Sequence, residues 1–257
     1  MNTPGNKFRD AIADNKPLMV VGAVNAYCAK MAEKAGHKAL YLSGAGVANA
    51  SFGLPDLAIT TLNDVAEDSR RITQATNLPL LIDIDTGFGG AFSISRTIKE
   101  MIAADVAAVH IEDQVTQKRC GHRPNKSLVD KIEMTDRIKA AVDARTDDSF
   151  FIMARTDSYA SEGIQGAIDR CNEYISAGAD GLFLEAVSSL EDYKQLKDAL
   201  QVPLLANITE FGKTPLFSAQ ELASVGVDIM LFPLSAFRAM SKAAESVYID
   251  LSLIHIS

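Results

Sequence analysis

Short apolar runs alternate with segments of helical periodicity along almost the whole chain. Eight of these runs are about five to seven residues long and nearly continuous in apolar character. Such runs are typical of strands buried on both faces of a parallel sheet. The predicted strands lie at residues 18–24, 38–42, 78–84, 107–111, 150–154, 180–185, 202–207 and 228–232.

Apolar residues three and four positions apart indicate helices between these strands. The clearest stripes are Ile94, Ile98, Met101 and Ile102, then Ile164, Ile168, Cys171 and Ile175, and finally Phe237, Met240, Ala244, Val247 and Leu251. Thr61 with Asp64, and Ser218 with Glu221, have the spacing of a capping box at a helix start. Eight strand–helix units in 257 residues predict an α/β fold, a single (β/α)8 TIM-type barrel with an N-terminal helix. The alternative is a doubly wound open sheet, which usually has a glycine-rich loop after its first strand.

Polar side chains stand where the predicted strands end, which is the catalytic face of such a barrel. They are Ser43, Asp83, Asp85, Glu112, Arg155, Glu185 and Asn207. Any one of them alone is better explained as a helix cap or a surface ion pair. Because acids and an arginine converge on one rim, we favour a functional site.

Asp83 and Asp85, with Glu112 and Glu185 nearby in a barrel, are oxygen donors of the kind that Mg²⁺ prefers. A lone pair of aspartates would instead be read as a hydrogen-bonding residue and a turn cap. The His and Cys residues lack the spacing of a zinc site. We therefore predict Mg²⁺ as the cofactor.

Composition narrows the class of protein. The formal net charge is −8 and the basic residues are scattered, which argues against a nucleic-acid partner. An anionic substrate must then be held by a few placed cations or a metal. No signal-peptide core or membrane-length apolar stretch is visible, and three widely spaced cysteines indicate a reducing compartment. We expect a cytoplasmic enzyme with no membrane partner.

The segment KRCGHRPNK (118–126) is the most informative stretch. Cys120 stands between Lys118, Arg119 and His122, and neighbouring cations lower the pKa of a thiol. Such a thiol can exchange a proton near neutral pH. By contrast, Cys28 and Cys171 lie in helical patterns and are expected to be inert core thiols. For His122 a loop hydrogen bond is as good an interpretation as catalysis, and His110 fits either the core or the site.

At this segment the chain becomes recognisable. It resembles the methylisocitrate-cleaving branch of the isocitrate lyase/phosphoenolpyruvate mutase superfamily, from about residue 5 to about residue 250. The resemblance is carried by YLSGAGVA (41–48), GLPD (53–56), DIDTGFG (83–89), HIEDQ (110–114), KRCGHRPNK (118–126), MARTD (153–157), ANITEFGKTPLF (206–217) and PLSAFRAM (233–240). Isocitrate lyases typically have Lys-Lys-Cys-Gly-His and are longer, so Arg119 favours the methylisocitrate branch.

The resemblance implies Mg²⁺-dependent cleavage of 2-methylisocitrate to pyruvate and succinate, with Cys120 protonating the aci-succinate carbanion. Its implied catalytic residues are Cys120, Lys118, His122 and Glu185. Its implied metal residues are Asp83, Asp85, Asp56 and Glu112. Its implied substrate contacts are Ser43, Gly44, Ala45, Cys120, Gly121, Arg155, Glu185, Asn207, Thr209 and Arg238. Ala45 stands where the family often has glycine.

Several alternatives stay open at this point. The substrate could be isocitrate, or the chemistry that of a same-fold oxaloacetate- or phosphonopyruvate-type enzyme. The base that removes the substrate hydroxyl proton could be Glu185, a water or a tyrosine. Loop 112–130 is expected to act as a lid, because a carbanion must be shielded from water.

The resemblance also implies a homo-oligomer, a tetramer whose C-terminal helices are exchanged between subunits. We expect one catalytic barrel domain over 1–257 with truncated C-terminal helices and a non-family tail at 251–257. A chain of this extent could bind its small polycarboxylate substrate but turn it over poorly.

Overall fold

A closed barrel of eight parallel strands forms the centre of the computed structural model, which describes residues 3–123 and 125–253. The strands pair in sequence order, and the last closes on the first. They are β1 Leu18–Gly22, β2 Ala39–Leu42, β3 Leu80–Asp83, β4 Ala108–Glu112, β5 Phe151–Thr156, β6 Gly181–Leu184, β7 Leu204–Asn207 and β8 Ile229–Phe232. The predicted barrel is confirmed. The doubly wound sheet is wrong, because an open sheet would leave β1 and β8 unpaired.

Helices follow the strands and cover the barrel. They are α1 Pro4–Asp14, α2 Ala26–Lys34, α3 Gly44–Gly46, α4 Leu62–Thr73, α5 Ala91–Ala103, α6 Lys131–Asp143, α7 Tyr159–Ser176, α8 Leu190–Ala199, α9 Ala219–Ser224 and α10 Ser235–Leu253, with a π-helical turn at Val47–Ser51. Both predicted capping boxes are present, at the starts of α4 and α9.

Inside the barrel, the side chains that point inward form an apolar layer at the lower end. This layer includes Leu18, Val20, Ala39, Leu81, Ala108, Phe151, Met153, Phe183, Leu205, Ile229 and Leu231. Helix α1 closes the bottom with Phe8, whose ring meets that of Phe151 edge-to-face at 5.5 Å between centroids. Because side chains alternate along a strand, residues two positions further on point into the same interior, nearer the upper end.

A second core lies between the strands and the helices. Ile94, Ile98 and Met101 of α5 are fully buried in it, as their spacing predicted. The predicted apolar face of α10 behaves differently: none of the helix is buried, and Val247 and Leu251 are each more than half exposed.

The end of the chain falls partly outside what is described. Helix α10 continues through Leu253, so residues 251–253 are helical, and residues 254–257 lie outside the described residues. The single-domain assignment and the non-family tail therefore stay predictions. Within residues 3–123 and 125–253, no helix has the length and apolar character needed to cross a bilayer.

Candidate active site

A cavity of about 360 Å³ opens at the carboxyl ends of the strands. Thirteen of the residues named from the sequence line it: Ser43, Ala45, Asp56, Asp83, Lys118, Cys120, Gly121, His122, Arg155, Glu185, Asn207, Thr209 and Arg238. Gly44, Asp85 and Glu112 are buried and do not line the cavity. The structure thus brings residues from loops far apart in the sequence to one place.

The turn after β2 lies against the acidic residues at and just beyond the end of β3. The backbone N–H of Gly44 donates to Oδ2 of Asp83 at 3.3 Å. A Cβ at Gly44 would lie 3.1 Å from Oδ1 of Asp85 and 3.2 Å from Oδ2 of Asp83. A larger residue would therefore crowd both carboxylates, which explains glycine at this position. Ala45, the next residue, lines the cavity.

An acidic cluster occupies one side of the cavity and surrounds the ammonium of Lys118. The Lys118 Nζ is 2.5 Å from Oδ1 of Asp56 and 2.7 Å from Oδ1 of Asp85. Asp83 accepts a hydrogen bond from the backbone N–H of Asp85 at 2.9 Å. Among the described residues, no hydrogen-bond partner meets Oδ1 of Asp85 or either carboxylate oxygen of Glu112. The Lys118–Asp85 contact is therefore an ion pair whose angles do not meet those of a hydrogen bond.

Burial and charge separate the pKa values of Asp83 and Asp85, two of the three aspartates of this cluster. Burial by itself raises the pKa of Asp83, but His110 in its protonated form, together with the positive charges of Lys118 and Arg155, brings that pKa down to about 2. Burial together with the negative charge of Asp83 raises the pKa of Asp85 to about 6. Burial tends to lower the pKa of Lys118, yet the surrounding carboxylates raise it well above its ordinary value. The cluster therefore favours a bound positive charge.

These residues fit a mostly hydrated Mg²⁺. Within the two described stretches, no three His, Cys, Asp or Glu side chains converge as a ready-made metal cage. Mg²⁺ does not need one, because it keeps several waters and uses one or two carboxylates directly. The carboxylates of Asp56 and Asp85 already converge on one cation, and the buried oxygens of Asp85 and Glu112 have unused lone pairs. The donors are all oxygen, as a hard cation requires.

Arg155 is buried at the centre of the opposite side. Its Nε lies 3.0 Å from Oδ2 of Asp157 and 3.3 Å from Oε2 of Glu112, and its Nη2 lies 3.2 Å from Oε2 of Glu185. The guanidinium also stacks over the ring of Phe183 at 5.0 Å. Burial alone would lower the pKa of Arg155, but these carboxylates raise it well above its usual value. Arg155 is therefore a fixed positive charge in the cavity wall.

Cys120 reaches the cavity on a long loop, residues 115–127, which we call the Cys120 loop; Pro124 within it lies outside the described residues. A bridge between Gln114 and Leu128 closes the base of the loop. Cys120 is half-buried and lines the cavity. A Cβ on Gly121 would clash with the guanidinium of Arg155 and the side chain of Glu185, so only glycine permits this approach.

His122 takes the role of a hydrogen-bonding residue in the loop. The backbone N–H of Lys213 donates to its Nδ1 at 3.1 Å, which leaves the proton on Nε2, 3.2 Å from Oε1 of Glu185. Burial lowers the pKa of His122, in agreement with a neutral ring. Glu185 is further held by Asn207, whose amide donates to it at 3.3 Å.

Lys118 and His122, which were predicted to act on the Cys120 thiol between them in sequence, bind other partners. In the structure the ammonium of Lys118 binds Asp56 and Asp85, and the ring of His122 contacts Glu185. Since side chains of successive loop residues point in different directions, adjacency in sequence did not give contact. The case for Cys120 therefore depends on its place in the cavity.

The sequence interpretation missed three residues that shape the site: Tyr41, Lys126 and Asp157. Tyr41, on β2, lines the cavity and its hydroxyl lies 2.8 Å from Nε2 of His110. His110 is completely buried, so it belongs to the core beneath the site and not to the cavity wall. Burial also lowers its pKa to about 4. Asp157 and Lys126 form a buried ion pair at 2.6 Å. Tyr41 could have been found from the sequence, because it stands on β2 two residues before Ser43 and therefore points into the same interior.

A barrel with an acidic cluster, a buried arginine and a cysteine-bearing loop is an enzyme-like arrangement, and the chain matches one enzyme family over most of its length. The family model for phosphoenolpyruvate phosphomutase matches residues 8–251, and the chain belongs to that family. The 2-methylisocitrate lyase of Vibrio cholerae is 62% identical to it over 252 residues, 96% of this chain and 82% of that protein. The predicted superfamily is confirmed.

Further relatives and solved structures agree. Proteins of the same name from Shewanella oneidensis, Salmonella typhimurium and Escherichia coli are 61%, 59% and 58% identical. The predicted enzyme class, a carbon–carbon lyase, is thereby confirmed. A crystal structure of 2,3-dimethylmalate lyase covers 99% of this chain and 86% of its own, with a TM-score of 0.94 and 37% identity. A phosphonopyruvate hydrolase in complex with oxalate and Mg²⁺ covers 97% of this chain and 87% of its own, with a TM-score of 0.85 and 27% identity.

Proposed function

We propose that this chain cleaves 2-methylisocitrate to pyruvate and succinate, with Mg²⁺ at the acidic cluster and Cys120 as the proton donor. One observation carries the proposal. A half-buried thiol, a buried arginine and an acidic cluster share one cavity in a chain that is 62% identical to a 2-methylisocitrate lyase. Asp83, Asp85, Asp56 and Glu112 are the residues that would hold the metal.

The cavity suits a small polycarboxylate. Arg155 and Arg238 supply positive charge, and Ser43, Thr209 and Asn207 supply hydrogen-bonding groups. Arg238 is itself oriented by the hydroxyl of Thr209 at 3.0 Å. Since the whole chain has a net charge of −8, these local cations and the metal must carry the attraction for an anion.

The bond-breaking step needs a base and a place for the electrons. A base removes the hydroxyl proton, the neighbouring carbon–carbon bond breaks, and the electrons move into a carboxylate of the departing succinate. Mg²⁺, when bound, supplies Lewis-acid polarisation of the substrate oxygens. Arg155 and Asn207 line the cavity, and they supply the groups that would stabilise the developing negative charge.

Cys120 then gives its proton to the carbanion carbon, which completes succinate. The base stays among Glu185, a bound water and a tyrosine, and Tyr41 is the tyrosine in the cavity wall. Glu185 is pinned by Arg155, His122 and Asn207, which suits orientation of substrate as well as proton transfer. Burial and the charge of Asp83 raise the pKa of Tyr41 well above its ordinary value, so its hydroxyl is present as the neutral form.

Apolar lining supports methylisocitrate over isocitrate. Phe183, Pro233 and Leu234 form part of the cavity wall. An added methyl group that packs on such a surface gains about 1–3 kcal/mol. Isocitrate is still a candidate, because a hydrophobic wall accepts the smaller substrate at a modest loss.

The remaining alternatives are separated by one assay. Purified chain is mixed with Mg²⁺ and 2-methylisocitrate, pyruvate release is followed, and isocitrate with glyoxylate release is run in parallel. We expect pyruvate with a preference for 2-methylisocitrate, and loss of product in Cys120→Ser. Pyruvate release that survives in Cys120→Ser would contradict the thiol as the proton donor. A folded chain that cleaves neither substrate but turns over oxaloacetate or phosphonopyruvate with Mg²⁺ would favour a metal-only reaction of that type. Binding of succinate without product from either substrate would favour a chain that binds but turns over poorly.

We also propose that the enzyme is a cytoplasmic homo-oligomer, a tetramer by its resemblance. The exposed apolar residues of α10, among them Met240, Val247 and Leu251, support a partner surface on that helix. Light scattering after size-exclusion chromatography tests the assembly: a mass of about four chains is expected, and a monomer would contradict it.

A further inference from the structure

A buried lysine joins the Cys120 loop to the end of β5. The Lys126 Nζ donates to the backbone carbonyl of Gly121 and to Oδ1 of Asp157, each at 2.6 Å. The side chain of Lys126 is 7% exposed, and that of Asp157 is 0% exposed. Charged side chains this deeply buried are expensive to separate, because each would be left unpaired in a medium of low dielectric.

Asp157 is a rigid anchor for this contact. Its backbone N–H donates to Oδ1 of the buried Asp113 at 3.0 Å. Asp113 also accepts hydrogen bonds from Thr156 at 2.6 Å and from Tyr174 of α7 at 3.0 Å. The anchor is therefore fixed by β4, β5 and α7 together, independently of the loop.

The other end of the contact is the part of the loop that carries the thiol. Gly121 follows Cys120 directly, and its carbonyl is the acceptor for Lys126. Near its base, the loop is paired at Gln114 with Leu128 and at Val115 with Ser127. Lys126 lies on the part of the loop that returns to this base. Its side chain binds both the part of the loop next to Cys120 and the end of β5.

We propose that Lys126 is a positioning residue, a latch that holds the Cys120 loop closed over the cavity by joining the Gly121 carbonyl to the Asp157 carboxylate. Lys126 does not line the cavity, so it acts through the placement of Cys120. Asp157 also binds Arg155, which couples the closed loop to the arginine of the active site. The effect on turnover rests on the proposed function, whereas the effect on loop closure does not.

The reactivity of Cys120 toward iodoacetamide, followed by peptide mass spectrometry, reads out loop closure without any turnover. Cys28 and Cys171 are buried, so they serve as internal references. Lys126→Met keeps the length of the side chain and removes its charge and its hydrogen bonds. Lys139→Met on α6 is the matched control, because Lys139 is 58% exposed and pairs only loosely with Asp136 at 3.8 Å.

We expect Lys126→Met to label at Cys120 about tenfold faster or more, since loss of the latch raises the open population of the loop. Labelling of the Lys139→Met protein should match the wild type. In the lyase assay, kcat should fall more than KM rises, because the proton donor is displaced while the arginines that hold the substrate stay in place. Folded Lys126→Met protein with wild-type labelling would overturn the latch, as would faster labelling with unchanged kcat.

Asp157→Asn provides a second variant if Lys126→Met does not fold. It keeps the shape of the anchor and weakens the same contact from the other end, so the same tenfold criterion applies. The two proposals fail in different ways. A wild-type chain that makes no pyruvate, but whose Lys126→Met variant labels faster, would sink the proposed function and leave the latch standing. An active wild type with unchanged labelling of the variant would remove the latch alone.

Discussion

The lower and upper ends of the barrel interior are built from the same alternating positions, but with opposite chemistry. Leu81, Met153 and Leu205 belong to the lower layer. Two residues further along each of these strands stand Asp83, Arg155 and Asn207. The two layers are only about 6–7 Å apart along the strand. Two residues along a strand thus separate the apolar lower layer, which stabilises the fold, from the polar upper layer, which lowers stability and carries the ionisable side chains of the site.

The upper layer is held together by mutual pairing. Glu112, Asp157 and Glu185 all lie within 3.3 Å of the guanidinium of Arg155. Each of these charges would be unfavourable alone in so buried a place, so each depends on the others. Single substitutions in each layer test this difference.

Substitution of Arg155 by Met should have the largest effect, because it removes the guanidinium that three buried carboxylates share. We expect a loss of about 3–5 kcal/mol in the free energy of unfolding, together with loss of detectable lyase activity. Urea denaturation and the pyruvate assay measure the two effects. An Arg155→Met protein of wild-type stability would mean that the pairing does not hold the layer together.

Substitution of Phe8 by Ala tests the lower layer and should leave the chemistry intact. Phe8 is fully buried against Phe151 at the bottom of the barrel, far along the strands from the cavity. We expect a loss of about 3–5 kcal/mol in the free energy of unfolding, the usual cost of such a truncation. The kcat of the folded fraction should stay within about twofold of the wild type, because no contact in the upper layer is lost. A large fall in kcat at a temperature where the variant is folded would contradict the separation of the layers.

Substitution of Gly121 by Ala tests the fit between the Cys120 loop and the upper layer. The added methyl group would clash with Arg155 and Glu185, so the loop must move away from them. A displacement of about 1 Å at a reacting group costs roughly a hundredfold in rate. We expect a fall of that size in kcat with little change in the thermal midpoint. Gly90→Ala is the matched control and should keep wild-type kcat, since a Cβ at Gly90 meets nothing within 4 Å.

Substitution of Ser218 by Ala should have the smallest effect, because it lies outside both layers. Ser218 caps α9, and its hydroxyl accepts a hydrogen bond from the backbone N–H of Glu221 at 3.3 Å. Removing such a cap costs about 0.5–2 kcal/mol of stability. Lyase activity should match that of the wild type, as measured by pyruvate release at a temperature below unfolding.

Sequence patterns predicted the barrel and the upper layer because both depend on local regularities. Strands of continuous apolar character, followed by acids and an arginine, indicate a parallel barrel with a polar rim. The capping boxes of α4 and α9 are equally local, and both were predicted.

The partners of the loop residues were beyond the reach of the sequence. Lys118 and His122 were expected to act on the thiol between them, but the barrel closure brings Asp56, Asp85 and Glu185 to them instead. Such contacts depend on the path of a long loop over a closed barrel, which no residue spacing specifies. Lys126 and Asp157 were missed for the same reason: their pairing spans thirty-one residues.

The most direct test of the account is the metal dependence of pyruvate release by the wild-type chain. Initial rates from 2-methylisocitrate are measured after removal of divalent cations with a chelator, then after return of Mg²⁺ or of Ca²⁺. We expect no pyruvate from the metal-free protein, recovery of pyruvate release with Mg²⁺, and poor recovery with the larger Ca²⁺. Pyruvate release that is indifferent to the chelator would contradict the assignment of the acidic cluster as the metal site of a lyase.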